Sequence, residues 1–183
     1  SNRSSKTTSL QEEAVDKIFS FLKPFLKEHS SVLIVVGTGQ NGADGLLVGK
    51  KINISDLKTE VIFNIVSSKE SSNTNRRLAK NLGLALTELT PELEQKNKKN
   101  FSLIIDAILG ISSRMPMRKE ISEKLKIIND YKKNQGASII SFDLPSGFDP
   151  SSGESDENTI TADHVLFIGY QTKGTLRDPE RFL

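Results

Sequence analysis

Four short stretches of this chain join small residues to oxygen-bearing side chains, and each follows an apolar run. They are Gly37-Thr38-Gly39-Gln40-Asn41-Gly42-Ala43-Asp44-Gly45, Asp106-Ala107-Ile108-Leu109-Gly110, Asp143-Leu144-Pro145-Ser146-Gly147, and the segment from Gly169 to Gly174. Amides, carboxylates and hydroxyls of this kind bind phosphates and cations, or move protons. The first stretch satisfies G-x-G-x-x-G. Glycines there permit a tight turn, and the free N–H groups of a following helix attract phosphate. A plain glycine turn from strand to helix can be spelled the same way, so the strand-to-helix context carries the dinucleotide or phosphate reading. No Lys-Ser/Thr pair follows, which excludes a Walker A loop. The next apolar run ends Asn64-Ile65-Val66-Ser67 with no acid to hold a ribose, and that counts against a simple dehydrogenase.

Asp106 stands just past the run Phe101 to Ile105. It suits a ligand site, and it equally suits a turn in which it accepts loop N–H groups; spacing leaves both open. The loop Gly110 to Pro116 follows, with Arg114 available to a phosphate or an amide. In the third stretch Pro145 pushes Leu144 into an extended conformation, which fixes Asp143 and Ser146 relative to each other. No histidine sits in a comparable loop, which argues against a serine nucleophile. His29 and His164 read as ordinary surface or packing residues.

Several elements must position these groups. Ser9-Leu10-Gln11-Glu12 fits a capping box, worth ~1 kcal/mol. Leu10, Ala14, Val15, Ile18, Leu22 and Leu26 then follow a helical period that Pro24 should kink or divide. Val32 to Val36 is apolar without alternation, as in a strand buried on both faces. A helix is expected from near Asp44, strands over Val61 to Val66 and within Leu84 to Leu89, and a helix over Ser71 to Leu82. A strand over Phe101 to Ile105, a helix over Met117 to Tyr131, and strands over Ala137 to Phe142 and His164 to Ile168 follow. Strands alternating with helices predict an α/β fold, a mostly parallel sheet with helices on both sides. Carboxyl ends of such strands share one edge, so the four stretches should meet in one crevice.

Composition narrows the functional class. At 183 residues the chain has room for one core, with residues 1–8 expected as a flexible tail and 9–183 as a single domain. A net charge of +2 gives no case for nucleic acid or a membrane surface, and the Lys96-Asn97-Lys98-Lys99 cluster reads as a solvated loop. The absence of cysteine removes disulfides, thiolate zinc sites and a cysteine nucleophile, and two histidines are too few for a His-based zinc site. No run approaches the ~20 apolar residues of a membrane span. The expected location is cytoplasmic.

The stretches GTGQNGADGL, IIDAILG, SFDLPSGFDPSSGE and ADHVLFIGYQTKG resemble, in order, the successive motifs of the YjeF N-terminal family, the NAD(P)HX epimerases. The resemblance runs from about Val32 to Gly174. It implies a Rossmann-like three-layer α/β/α sandwich, a bound monovalent cation, usually potassium, and a homodimer. It also implies epimerisation of hydrated NADH or NADPH (NADHX/NADPHX) at C6 of the nicotinamide ring, a nucleotide-repair reaction. Carried over by position, Gln40, Asn41, Gly42, Ala43 and Asp44, with Gly110, Ile111, Ser112, Ser113, Arg114, Met115 and Pro116, match the substrate-contacting loops. Asn41, Asp106 and Ser146 match the potassium positions, and Asp143 matches the substrate-contacting acid with the acid/base role.

Gln40 stands where the family has its first Asn, Ala43 where it has Gly, and Thr172 where it usually has Pro. Ala43 fits only where φ is negative or mild strain is tolerated. The family's further N-terminal helix is not evident, and the chain stops soon after Lys173. This is expected of a truncated form, or of the first part of a bifunctional protein with an NAD(P)HX dehydratase. Related domains also serve as non-catalytic dimerising scaffolds. Retention of Asn41, Asp106, Asp143 and Ser146 together favours the enzyme.

Overall fold

The unbroken apolar runs form the sheet. The computed structural model describes residues 2–67, 74–91, 100–111 and 113–168, with the backbone alone for 2–11. Strands β1 (Ser31–Val36), β2 (Glu60–Ile65), β3 (Leu86–Glu88), β4 (Phe101–Ala107), β5 (Ser138–Phe142) and β6 (His164–Leu166) lie in the order β3-β2-β1-β4-β5-β6. Every pairing within this sheet is parallel. The described helices are α1 (Asn2–Leu22), α2 (Gln40–Asn53), α3 (Thr74–Asn81) and α4 (Lys119–Gln135).

Successive strand side chains point to opposite faces. Ile34, Val36, Leu103 and Ile105 therefore pack beneath Ile18 and Leu22 of α1, Leu46, Val48 and Ile52 of α2, and Ala79 of α3. Leu33, Val35, Ile104 and Ile139 meet Ile121, Leu125, Ile128 and Tyr131 of α4. Both faces are covered, which is why β1 shows no alternation. This is the three-layer α/β fold expected from the sequence. The buried Lys124 ammonium ties α4 to the β3 edge through Glu88 (2.6 Å) and the Leu89 carbonyl (2.7 Å).

Local expectations are refined or corrected at several points. The first helix spans Asn2–Leu22, so Ser9 lies inside it rather than at its cap. Of the two outcomes expected at Pro24, division is the one seen: α1 ends at Leu22 and Lys23–Phe25 form a separate 3₁₀ turn with the proline in its opening positions. α2 starts at Gln40, ahead of the Asp44 expected from periodicity. The Gly169–Gly174 stretch, Ser112 and the Lys96–Lys99 cluster lie outside the described residues. No helix of the described residues is long and apolar enough to cross a membrane.

Candidate functional site

The chain leaves β1 toward β2 and leaves β4 toward β5, so the loops after two neighbouring strands part and open a crevice at their carboxyl ends. The crevice holds about 410 Å³, and its lining includes Gly37 to Asn41, Leu109, Gly110, Ile111 and Asp143. Distant segments do converge there.

Asn41 is the tie among them. Gly39, extended at φ −95° and ψ −167°, precedes α2, which places Asn41 in the first turn and buries it. Its Nδ2 donates to the Leu109 carbonyl at 2.8 Å and to the Phe142 carbonyl at 3.1 Å, joining the loops after β1, β4 and β5. Its Oδ1 is buried and accepts no hydrogen bond. From α3, the buried Asn75 donates to the Gly37 carbonyl (2.8 Å) and the Gly39 carbonyl (2.9 Å), which holds the glycine turn. Ala43 sits in α2, outside the positive-φ residues, so its Cβ is accommodated without backbone strain.

Asp106 lies within β4, opposite Val35 and Ser141, and not past the strand as its spacing suggested. The strand is longer than the apolar run because a carboxylate can be buried when its lone pairs are filled. Oδ1 accepts the Ser146 hydroxyl at 2.6 Å and the Ile108 N–H at 3.3 Å. Oδ2 accepts the Ser141 hydroxyl at 2.7 Å and the Ser146 N–H at 2.9 Å. Burial raises the pKa of Asp106, and these donors work against the rise. The turn-acceptor reading holds, since Asp106 takes the Ile108 amide, and the same carboxylate also anchors Ser146. The Ser146 hydroxyl in turn accepts the Leu109 N–H at 3.0 Å.

Asp143 stands at φ 62°, the left-handed region that side chains rarely adopt. The Leu144 N–H bonds back to the Phe142 carbonyl at 2.8 Å, so Asp143 is the apex of a three-residue turn. Oδ1 accepts the Ile168 N–H at 3.1 Å. Oδ2 lies 3.2 Å from where a Cβ on Gly110 would stand. One oxygen is fixed, and the other faces a glycine in the crevice. Asp44 is close enough to feel it. Burial raises the pKa of Asp44 and the Asp143 charge adds to the rise, while the Gln40 amide, donating at 3.0 Å, opposes it.

The loop after β4 divides. Gly110 and Ile111 line the crevice, whereas Ser113 turns its N–H and hydroxyl onto the Gly110 carbonyl at 3.0 and 2.9 Å. Arg114 donates to the Ser113 carbonyl at 2.6 Å. Met115 donates its N–H to Asp149 at 3.1 Å, and with Pro116 it borders a separate, open depression beside Glu154 and Asp156. Sequence reasoning missed Asn75, Ser141, Asp149, Ser67 and Arg118, and the last two line the crevice. The Ser67 position was legible as an acid-free strand end. The others show their role only once packing places them.

As ligands for an ion, the Asn41 amide oxygen, the Asp106 carboxylate and the Ser146 hydroxyl are hard oxygens with a single formal charge; the orphaned Asn41 Oδ1 has acceptor capacity to give, whereas Asp106 would have to exchange one of its four present donors for the ion. Among the described residues no three or more His, Cys, Asp or Glu cluster to hold a metal. Such a set suits a monovalent cation better than a divalent one.

A sequence profile described as YjeF-related protein N-terminus matches residues 7–174. The bifunctional NAD(P)H-hydrate repair enzyme Nnr of Dictyoglomus turgidum is 34% identical over 162 residues, covering 86% of this chain and 30% of that protein. The NAD(P)H-hydrate epimerase of Aedes aegypti is 28% identical over 137 residues, covering 75% of this chain and 57% of that protein. The chain thus spans less than two thirds of either relative. The crystal structure of yeast ynu0 superposes with a TM-score of 0.67 at 20% identity, covering 86% of this chain and 69% of that one, which supports the fold.

Proposed function

This chain belongs to the family of YjeF-related protein N-termini, and on that premise we propose that it interconverts the two C6 epimers of hydrated NADH and NADPH. The observation that carries the reading is Asp143: one carboxylate oxygen is pinned by Ile168 and the other faces Gly110 in the crevice. The names of the relatives, NAD(P)H-hydrate epimerase and bifunctional NAD(P)H-hydrate repair enzyme, supply the substrate class.

The C6 carbon of the hydrate bears both the ring nitrogen and a hydroxyl. Its inversion needs either loss and return of the hydroxyl, or opening and closure of the ring. Both routes move a proton to and from the heteroatoms on C6, and neither transfers electrons. Asp143 accepts that proton and returns it, a role typically worth ~10²–10⁴-fold in rate. The left-handed turn aims the carboxylate, and Asn41 fixes the turn through the Phe142 carbonyl. Ile108, Leu109 and Ile111 supply apolar wall for the ring.

Asn41, Asp106 and Ser146 would hold a potassium ion, which when bound supplies charge that offsets substrate phosphate and the buried carboxylate. Asp106 and Ser146 then serve as loop anchors and not as proton carriers. A homodimer, and a dehydratase acting on the product as a fused or separate partner, complete the proposed setting. Mixing the purified protein with one epimer of hydrated NADPH and following the appearance of the other tests the reading. Interconversion no faster than in buffer would overturn it.

A further inference from the structure

The crevice is lined by a cationic side chain that the proton chemistry leaves unused. β2 ends at Ile65, and Val66 and Ser67 follow with no acidic residue. In a sheet of this strand order, the residue after the second strand meets the adenosine ribose, and an acid there selects the free 2′-hydroxyl. Here Ser67 and Arg118 both line the crevice. Their chain neighbours Val66 and Ile121 belong, with Ile108, to one buried cluster beneath the crevice. Arg118 precedes α4 and stands one turn before Ile121, whose N–H bonds to the Arg118 carbonyl at 2.9 Å.

The Arg118 side chain is exposed and does not cap its helix, and the ion pairs among the described residues leave it out. Arg114, read above as available to a phosphate or an amide, donates to the backbone carbonyl of Ser113 in its own loop. Behind Ser67, Arg76 donates from Nη2 to the Ser67 carbonyl at 2.8 Å, and its Nε is buried without a partner. Among the described residues lining the crevice Asp143 is the acidic one, and it follows β5. β2 and β5 are three strand spacings apart, roughly 14 Å. Among the described residues the crevice is thus lined by one cationic side chain, Arg118, and one carboxylate, Asp143.

We infer that Ser67 and Arg118 form a subsite for the 2′-phosphate of the adenosine ribose, so that the crevice favours hydrated NADPH over hydrated NADH. The inference rests on the epimerase reading, which places the nicotinamide end at Asp143. A planar guanidinium pairs with phosphate oxygens in bidentate fashion, and the N-terminus of α4 adds its dipole. Arg76 acts as a positioning residue through the Ser67 carbonyl.

The test is calorimetric titration of the full chain with NADP⁺ and, separately, NAD⁺, which share the adenosine half and are chemically stable. The wild type is expected to bind NADP⁺ about tenfold more tightly, or better, as a charge-assisted contact allows. Arg118→Ala should remove most of that ratio and leave NAD⁺ binding unchanged, and Arg118→Lys should restore part of it. Equal affinity for the two nucleotides, or a ratio untouched in Arg118→Ala, overturns the subsite and leaves the epimerase reading standing. Binding of neither nucleotide overturns both.

Discussion

Ser146 donates twice to Asp106, from its hydroxyl at 2.6 Å and from its backbone N–H at 2.9 Å. The loop after β5 is thereby clamped to a carboxylate buried in β4, and no cationic side chain is among its hydrogen-bond partners. An ion with an oxygen shell would relieve that buried charge. The melting temperature is accordingly expected to rise with potassium chloride and not with choline chloride at equal ionic strength. Saturation at about 100 times Kd adds about 2.7 kcal/mol. The rise should be smaller in Ser146→Ala. An equal response to both salts counts against the ion.

Asp143→Asn should keep the turn, since asparagine tolerates the left-handed region, while removing the proton carrier. Epimer interconversion is expected to fall by ~10²–10⁴-fold with nucleotide affinity nearly unchanged. Turnover equal to wild type would remove Asp143 from the chemistry.

Two glycines should answer differently to the same change. A Cβ on Gly37 would fall on the Ile108 carbonyl, so Gly37→Ala must move backbone. Overpacking of this kind costs typically ~1–3 kcal/mol, readable by urea unfolding. The nearest atoms to a Cβ on Gly110 are Asp143 Oδ2 at 3.2 Å and Asn41 Cβ at 3.8 Å, side chains and not backbone. Gly110→Ala should therefore unfold close to the wild-type midpoint and lose activity by crowding the carboxylate. A large drop in stability for Gly110→Ala, or none for Gly37→Ala, contradicts this account.

Asp149 links the loop after β4 to the loop after β5. The Ser151 hydroxyl first, then the Ser151 amide and the Met115 amide, hold its pKa down to about 2. A depressed carboxyl pKa adds stability above the unfolded value of ~3.9, and that contribution is lost as pH falls through the folded value. Thermal melts between pH 5 and pH 2 should show wild type losing stability more steeply than Asp149→Asn. Parallel curves would mean that the link carries no charge-dependent strength.

The strands were legible because their burial on both faces leaves unbroken apolar runs, as in Val32 to Val36. Strand ends were less so. β4 runs on through Asp106, a residue that periodicity treats as a terminator but that donors from three other positions make acceptable. The start of α2 was placed late for a related reason: Asn41 and Gly42 are weak helix formers, and the first turn is held by bonds to Leu109 and Phe142, far away in sequence. The motif residues Asn41, Asp106, Asp143 and Ser146 could be picked out from the sequence alone. Asn75 and Arg118 could not, because a lone Asn and a lone Arg have no signature until α3 and α4 are packed beside the β1 and β2 ends.

The backbone at Asp143 has a further consequence. Its positive φ sets a conformational tax that glycine or asparagine would reduce, and an aspartate persists there at some expense to folding. Asparagine there would keep an oxygen for the Ile168 N–H and suit the left-handed backbone, so the fold by itself makes little demand for a charged carboxylate at this position. Under the epimerase reading proposed above, the reaction rather than the backbone would be what calls for a carboxylate at this position.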